Sequence, residues 1–176
     1  LLLLLHRQAS PALDQVMLLF SLLGYGYGVL PLAVLILLLL LGIRRWGDAL
    51  FWGLALGGAG LLNLLAKGVF GRIRPDLWLS LAPETTSSFP SGHAMGSMAL
   101  VAALAVLAWP TRWRWPLLAL GVPFVSLVGV SRMYLGVHYP SDILAGWLAS
   151  LAWVVGVSMV LYGRAAKTTP QTQPDD

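Results

Sequence analysis

Five apolar stretches, each close to the length needed to cross a membrane, dominate this sequence. An α-helix needs about 20 mostly apolar residues to span the hydrocarbon core of a bilayer. Within lipid the backbone must satisfy its own hydrogen bonds, so a spanning segment of this kind becomes a helix. The pattern therefore predicts an all-α integral membrane helical bundle. Its five complete transmembrane helices would cover residues 25–43, 49–66, 94–109, 115–134 and 143–162.

The two ends of the chain differ from this apolar middle. The chain opens with a run of five leucines, Leu1 to Leu5. We interpret the run as the truncated end of a sixth membrane helix; a signal peptide is the alternative, but the spans that follow favour a helix. Residues 165–176 are polar and contain two prolines, which is typical of a disordered tail. The expected organisation is one transmembrane domain over residues 1–164 and a disordered tail over residues 165–176.

Composition excludes several classes of protein. Hydrophobic residues make up 58% of the chain and charged residues 10%, whereas a soluble domain has about 45–50% and about 25%. The net charge of +4 comes from short basic clusters between apolar runs, so membrane topology and anionic head groups explain it better than nucleic acid does. The chain has no cysteine, which excludes disulfides, thiolate metal sites and a cysteine nucleophile.

The basic residues also predict an orientation in the membrane. If the helices alternate, three basic connections lie on the same side, which the positive-inside rule assigns to the cytoplasm. These connections contain Arg44 and Arg45, then Arg112 and Arg114, then Arg164 and Lys167. Several other cations fall on the opposite side, against the rule, and therefore require a functional reason. They include Lys67, Arg72, Arg74 and Arg132.

The first segment with such cations ends the second predicted span. Lys67 and Arg74 are seven positions apart, about two helical turns, so they share one face if the helix continues. Pro75 disfavours helical backbone at Arg74, so the chain is expected to turn there. Taken alone, the two cations also fit interfacial anchors whose charged ends reach the head groups.

The second segment, Pro90-Ser91-Gly92-His93, comes directly before a predicted span. Ser91 is a good helix N-cap, and Gly92 lets a ligand approach the backbone. Free N–H groups and the helix dipole at such a start favour an anion, and His93 lies in the first turn. A capped helix with an interfacial histidine is the alternative.

The third segment runs from Ser131 and Arg132 through His138 to Asp142. A carboxylate four residues after a histidine can accept one imidazole N–H and leave the other ring nitrogen free to attack. A structural Asp–His pair beside an anchoring arginine is the alternative.

Helix alternation brings the three segments to one face of the membrane. Charged groups near a bilayer are costly without partners, and a bound phosphate gives each of them one. Phosphoryl transfer mainly needs positioning and charge stabilisation, which cations and aimed N–H groups supply. A histidine held by a carboxylate is a plausible nucleophile, and a second histidine can protonate the leaving oxygen. The combination predicts a phosphoryl-transfer site.

In sequence order the segments read K-x6-R-P, P-S-G-H and S-R-x5-H-x3-D. This pattern resembles the signature of the phosphatidic acid phosphatase type 2 family, which shares its site with vanadium haloperoxidases. The resemblance implies that His138 attacks phosphorus to form a phosphohistidine, that Asp142 orients His138 and that His93 protonates the leaving group. It also implies a phosphate cradle without metal or cofactor, made of Lys67, Arg74, Ser91, Gly92 and Arg132. Arg72 lies outside the signature, and we expect it to contact head groups or to act as an anchor.

The resemblance implies a membrane enzyme that hydrolyses a lipid phosphate or diphosphate. Candidate substrates are undecaprenyl diphosphate, phosphatidylglycerophosphate and phosphatidate. The expected location is the bacterial inner membrane, with the site facing the periplasm or exterior; the expected partners are the lipid substrate and the bilayer, without nucleic acid. The alternatives are a haloperoxidase that holds vanadate, a lipid phosphotransferase and a non-enzymatic lipid-phosphate binder or transporter.

Overall fold

The structure is a computed structural model that describes residues 1–165, with side chains up to Gly163. Every regular element in this part of the chain is a helix. The seven helices are α1 (Leu2–His6), α2 (Pro11–Leu23), α3 (Val29–Gly42), α4 (Trp46–Phe70), α5 (Gly92–Ala108), α6 (Arg114–Tyr134) and α7 (Pro140–Ala165). The disordered tail expected at the C-terminus falls beyond the described residues.

Three of the helices are long and apolar enough to cross a membrane. They are α4, α6 and α7, with mean hydropathies of 1.7, 1.6 and 2.0. The prediction of an all-α membrane protein is therefore confirmed, but the count of five complete spans is not. Helix α5 has 17 residues. The stretch predicted at 25–43 forms the 14-residue helix α3, which begins only after a turn at residues 24–28 that contains three glycines.

The N-terminal region differs most from the prediction. The leucine run expected to end a sixth membrane helix lies in α1, a helix of five residues. A further helix, α2, follows where no element was predicted. Ser10 caps it by accepting the Leu13 N–H at 3.4 Å, and Pro11 supplies the preset φ of a first helical position. Helix α2 lies along the end of α6, where the Tyr134 hydroxyl donates to Asp14 Oδ1 at 2.5 Å.

Helix α5 is the centre of the bundle, because it packs against α4, α6 and α7. Its buried side chains are mostly small: Ala94, Ala99 and Ala103 are fully buried. On α4, Ala55 and Ala59 are buried as well. Small residues let helix backbones approach closely, which is how helices associate where lipid supplies no hydrophobic driving force.

The three signature segments meet at one end of the bundle. They lie at the end of α4, the start of α5 and the junction between α6 and α7. Gly71 ends α4 with φ +53°, a left-handed conformation that glycine adopts without strain, and its N–H donates to the Lys67 carbonyl. The connection 71–91 then runs without regular structure back to the start of α5. The basic residues of the other two connections, Arg44, Arg45, Arg112 and Arg114, belong to the opposite end.

Candidate active site

His138 is fully buried in the short connection between α6 and α7. Its Nδ1 lies 3.4 Å from Asp142 Oδ2, and its Nε2 lies 3.1 Å from Arg74 Nη1. A guanidinium has only donors, so Nε2 must accept this hydrogen bond. The ring proton then resides on Nδ1, facing Asp142, and the Nε2 lone pair faces the cations. This is the tautomer that a nucleophilic histidine needs.

Electrostatics keep this histidine neutral. Burial lowers the pKa of His138 below its ordinary value; the hydrogen bond to Asp142 opposes this change, and the positive charges of Arg132 and Arg74 add to it. An unprotonated ring is the nucleophilic form.

Asp142 is held by more partners than the signature suggests. Its Oδ2 accepts hydrogen bonds from the Ser88 hydroxyl at 2.5 Å and the Tyr139 N–H at 2.8 Å. Its Oδ1 accepts from Arg72 Nη1 at 2.8 Å. Arg72, which we expected to contact head groups or to act as an anchor, has a role in the site: its guanidinium pairs with Asp142 and lies 4.1 Å from the centre of the Tyr139 ring. Arg72 helps to fix the carboxylate that orients His138.

Two arginines of the signature converge on a carboxylate in the connection 71–91. Arg74 Nη2 donates to Glu84 Oε2 at 2.7 Å. The buried Arg132 donates to Glu84 Oε1 and to the Ser21 hydroxyl. His93 Nδ1 lies 3.7 Å from the same Oε1. Glu84 thus contacts three of the side chains expected to touch phosphate or its leaving oxygen.

Residues of the connection 71–91 hold Lys67 close to these side chains. Its Nζ donates to the Thr86 hydroxyl at 2.8 Å and to the Ser87 carbonyl at 2.9 Å. Arg74 Nη2 lies 3.2 Å from the same Thr86 hydroxyl, and its Nε donates to the Thr86 carbonyl. Helix α4 ends at Phe70, so Lys67 and Arg74 do not share a helix face; they meet instead at the Thr86 hydroxyl, and the loop holds them there.

The start of α5 supplies the remaining predicted residues. Ser91 is buried and caps the helix by accepting the Ala94 N–H, and its own N–H donates to the Asp142 carbonyl at 3.2 Å. A Cβ at Gly92 would come within 3.2 Å of the Asn63 side chain. His93 is mostly buried, and its ring lies 5.3 Å from that of Tyr25. All eight predicted site residues thus lie at one end of the bundle.

The charge balance favours an anionic ligand. Arg72 is already paired with Asp142, which leaves Lys67, Arg74 and Arg132 facing the single carboxylate of Glu84. Burial raises the pKa of Glu84, but the charges of Arg132 and Arg74 outweigh it, and the pKa lies below its usual range. With Glu84 ionised, two positive charges remain, matching the charge of about −1.5 to −2 on a phosphate monoester at neutral pH.

A cavity of about 210 Å³ opens beside these groups. Glu84, His93 and Arg132 line it together with Ser21 and Tyr27 from the N-terminal region. Arg132 Nε is buried and has no hydrogen-bond partner among the described residues. An unpaired buried donor is costly, so a partner for this nitrogen would stabilise the site.

Sequence patterns did not identify Glu84, Ser88 or Arg72 as residues of the site. One signal for Glu84 exists: cations on the translocated side need an anion, and residues 76–90 contain just two acids, Asp76 and Glu84. Ser88 stands in a run of hydroxyl residues, and nothing in its spacing marks it.

Comparison with known proteins identifies relatives of this chain. Phosphatidylglycerophosphatase B of Bacillus subtilis (strain 168) is 34% identical over 147 residues, covering 81% of this chain and 72% of the relative. Undecaprenyl-diphosphatase of Sulfolobus acidocaldarius is 31% identical over 161 residues, covering 89% and 74%. The crystal structure of a transmembrane PAP2-type phosphatidylglycerolphosphate phosphatase from Bacillus subtilis superposes with a TM-score of 0.82 at 29% identity, covering 98% of this chain and 85% of that one.

A sequence model of the PAP2 superfamily matches residues 48–165, a range that contains all three signature segments and every predicted site residue. The match covers more than half of the chain. The two relatives align with this chain over 72% and 74% of their own length. This chain belongs to the PAP2 superfamily.

Proposed function

We propose that this protein removes phosphate from a membrane lipid phosphate or diphosphate by way of a phosphohistidine on His138. The arrangement of the His138 ring supports this proposal most directly. Its Nδ1 faces Asp142 and its Nε2 faces Arg74. An in-line attack needs a neutral ring nitrogen directed at phosphorus and cations around the phosphoryl oxygens, and an Nε2 lone pair next to Arg74 supports both requirements.

The proposed reaction has two steps. In the first, the Nε2 lone pair of His138 forms a bond to phosphorus while the bond from phosphorus to the leaving oxygen breaks. The electron pair of that bond goes to the leaving oxygen, which takes a proton from His93, present as the imidazolium in the bound complex. In the second step, water attacks the phosphohistidine and gives a proton back to His93. The N–P bond breaks, and inorganic phosphate leaves His138 neutral. Arg74, Arg132 and Lys67 stabilise the charge on the phosphoryl oxygens in both steps.

Glu84 stands where we place the phosphate. Its two carboxylate oxygens accept hydrogen bonds from Arg74 and Arg132, as two phosphoryl oxygens would. We propose that the substrate phosphate displaces Glu84 and takes over both arginines. The carboxylate then compensates buried Arg132 when no substrate is bound, since an unpaired buried charge is strongly destabilising.

The Glu84→Gln variant should bind phosphate analogues more tightly than the wild type. The substitution retains the side-chain volume but removes the charge that competes for Arg74 and Arg132. Charge-assisted hydrogen bonds contribute about 1.5–3 kcal/mol each, so we expect the inhibition constant of orthovanadate to fall by roughly tenfold. Asp76→Asn, which neutralises an exposed carboxylate in the same connection, is the matched control. An unchanged or weaker inhibition by vanadate in Glu84→Gln would contradict the displacement.

The same variant should shift the pH profile. The negative charge of Glu84 raises the pKa of His138, so its removal should lower that pKa further. A nucleophile with a lower pKa remains unprotonated to lower pH. Because kcat/KM reports groups of the free enzyme, its acid limb should move to lower pH in Glu84→Gln than in the wild type on one substrate. An acid limb at the same pH in both proteins would indicate that the titration of a group other than His138 sets it.

The names of the relatives match two of the three candidate substrates. Those reported above are named for phosphatidylglycerophosphate and for undecaprenyl diphosphate, and both classes carry the phosphate on a long apolar tail. We propose one of these, or phosphatidate, as the substrate. We also propose that the site faces the exterior of a bacterial inner membrane, since the arginines of two other connections lie at the opposite end of the bundle.

The experiment that tests the proposed function measures phosphate release by the purified protein in detergent with EDTA. The three candidate lipids are compared side by side. Release in EDTA would support a metal-independent hydrolase, and the order of rates would rank the lipids. Folded protein that releases no phosphate from any of them would overturn the proposal. Transfer of the phosphate to an added lipid alcohol instead of water would indicate a phosphotransferase.

A further inference from the structure

The break between α2 and α3 leaves an apolar groove below the catalytic cavity. Helix α2 covers the end of α6 near the site: Ser21 contacts Arg132, and a Cβ at Gly24 would come within 2.5 Å of Val128. After the turn at residues 24–28, α3 packs instead on α4, where Trp52 Nε1 donates to the Ala33 carbonyl at 2.9 Å. The remaining part of α6 is thereby separated from α3.

This groove has a volume of about 400 Å³, and each of its lining residues is apolar. Leu32 of α3 forms one wall, Leu120 and Phe124 of α6 form the other, and Leu100 and Leu104 of α5 form the floor. Nothing in this lining can bind a head group.

The groove begins where the catalytic cavity ends. Leu22 and Gly26 line the cavity beside Glu84 and His93, while the neighbouring Leu23 and Gly28 line the groove. One short turn thus borders both. A larger apolar cavity of about 870 Å³ lies between α5, α6 and α7, but it reaches Arg45 and Tyr162 at the opposite end of the bundle. Of these two spaces, the groove adjoins the site and the larger cavity does not.

We propose that the groove holds one hydrocarbon tail of the lipid whose phosphate binds the cradle. The inference rests on the proposed function, because it takes the phosphate to lie among Arg74, Arg132 and His93. A tail attached to that phosphate must leave the cavity, and the groove is an apolar space that adjoins it across the turn at residues 24–28. The groove is also deep enough to hold such a tail. Leu104 is eleven positions after His93 on α5, which places it about 16 Å deeper at about 1.5 Å per residue.

This depth predicts which tails use the groove. A C–C bond of about 1.5 Å advances an extended chain by about 1.3 Å per carbon, so about a dozen carbons reach Leu104. A tail of eight carbons would end above it, and a tail of 18 carbons would fill it. The groove would therefore favour long-chain substrates through packing, while the cradle treats the phosphate of either substrate alike.

Leu120→Trp narrows the groove and tests the proposal. Leu120 lies twelve positions before Arg132, about 18 Å from it along α6, and its side chain is 76% exposed, so a larger side chain should be tolerated. Leu118→Trp is the matched control, because Leu118 lines the larger cavity on another face of the same helix. Leu32→Trp, on the opposite wall and also exposed, is a second variant in case Leu120→Trp misfolds.

The readout is kcat/KM for one lipid phosphate with 18-carbon tails divided by that for the same lipid with eight-carbon tails. One methylene group in a hydrophobic pocket changes the discrimination between two substrates by about 10–200-fold. We therefore expect the ratio of the two kcat/KM values to fall by about tenfold in Leu120→Trp. The ratio in Leu118→Trp should stay within about twofold of the wild type, a shift far smaller than any discriminating pocket produces. Equal ratios in all three proteins would overturn the proposal.

A second measurement separates this inference from the proposed function. A long-chain lipid phosphate with a photoactivatable group in mid-tail is cross-linked to His138→Gln protein, and the modified peptides are mapped. Cross-links concentrated on residues that line the groove alone would support it even if no lipid phosphate is hydrolysed; these are Leu32, Leu100, Leu104, Leu120 and Phe124. Cross-links spread over the lipid-facing surface, or concentrated at the larger cavity, would refute it while leaving the hydrolase proposal intact.

Discussion

Replacement of His138 by alanine should reduce phosphate release by at least about 10³-fold, because no other group is placed to attack phosphorus. Its Nε2 faces Arg74 and its Nδ1 faces Asp142, and alanine removes both nitrogens. The measurement is the initial rate of phosphate release from the best lipid substrate, compared with that of the wild type. A variant that retains most of its activity would exclude His138 as the nucleophile.

The folded state of this variant needs its own control. His138 borders a loop, but its side chain is fully buried. Alanine therefore leaves a cavity and deprives Asp142 of a partner. His138→Gln better preserves the volume, and its thermal unfolding should be closer to that of the wild type. Loss of turnover in a stable glutamine variant assigns the effect to chemistry.

A covalent intermediate gives a more direct test of the same residue. Wild-type protein quenched during turnover of a ³²P-labelled lipid should carry acid-labile label on the peptide that contains His138. His138→Gln should carry none. Label that persists in this variant, or that maps to His93, would contradict the assigned nucleophile.

The helices that could be predicted from sequence are the long apolar ones. Apolar length alone indicated α4, α6 and α7, because a bilayer imposes that length on any span. Helix α5 was predicted at 94–109 and begins at Gly92, and its cap at Ser91 was anticipated from the residue type.

Helix α2 was missed because it is too short to span a membrane and carries Asp14 and Gln15 among its apolar residues. Local signals for it do exist in the Ser10-Pro11 pair, which is a typical helix start, and in the acid of its first turn. Its role could not be predicted, because the contact between Ser21 and Arg132 joins positions far apart in the chain.

The residues of the candidate site also divide into those that sequence predicted and those that it did not. Its eight predicted residues stand at fixed spacings on helix ends or, for Arg74 and His138, in the adjoining connections, where separation in sequence is a guide to separation in space. Glu84 and Ser88 come from a connection without periodicity, and Arg72 follows the end of α4. Their contacts depend on how this connection folds back over the cations. Charge balance could have suggested that some acid was needed, but not which oxygen meets which arginine.

Replacement of His93 by alanine should lower the rate by about 10²–10⁴-fold, the usual contribution of general acid catalysis. The residue lies in the first turn of α5, and its Nδ1 lies 3.7 Å from the Glu84 oxygen that we take to mark a phosphoryl position. From there His93 can deliver a proton to the leaving oxygen of the lipid. The nucleophile and the cradle remain in place in the variant, so binding should change less than turnover.

The leaving group separates an acid from a merely structural histidine. A lipid alkoxide needs a proton to leave, whereas a nitrophenolate is stable without one. The loss in His93→Ala should therefore be much smaller on a nitrophenyl phosphate than on the lipid, with the wild type measured on both. A positioning role for His93, through Glu84 or the Tyr25 ring beside it, would slow both substrates alike. Equal losses would thus remove the acid from the mechanism while leaving His138 as the nucleophile.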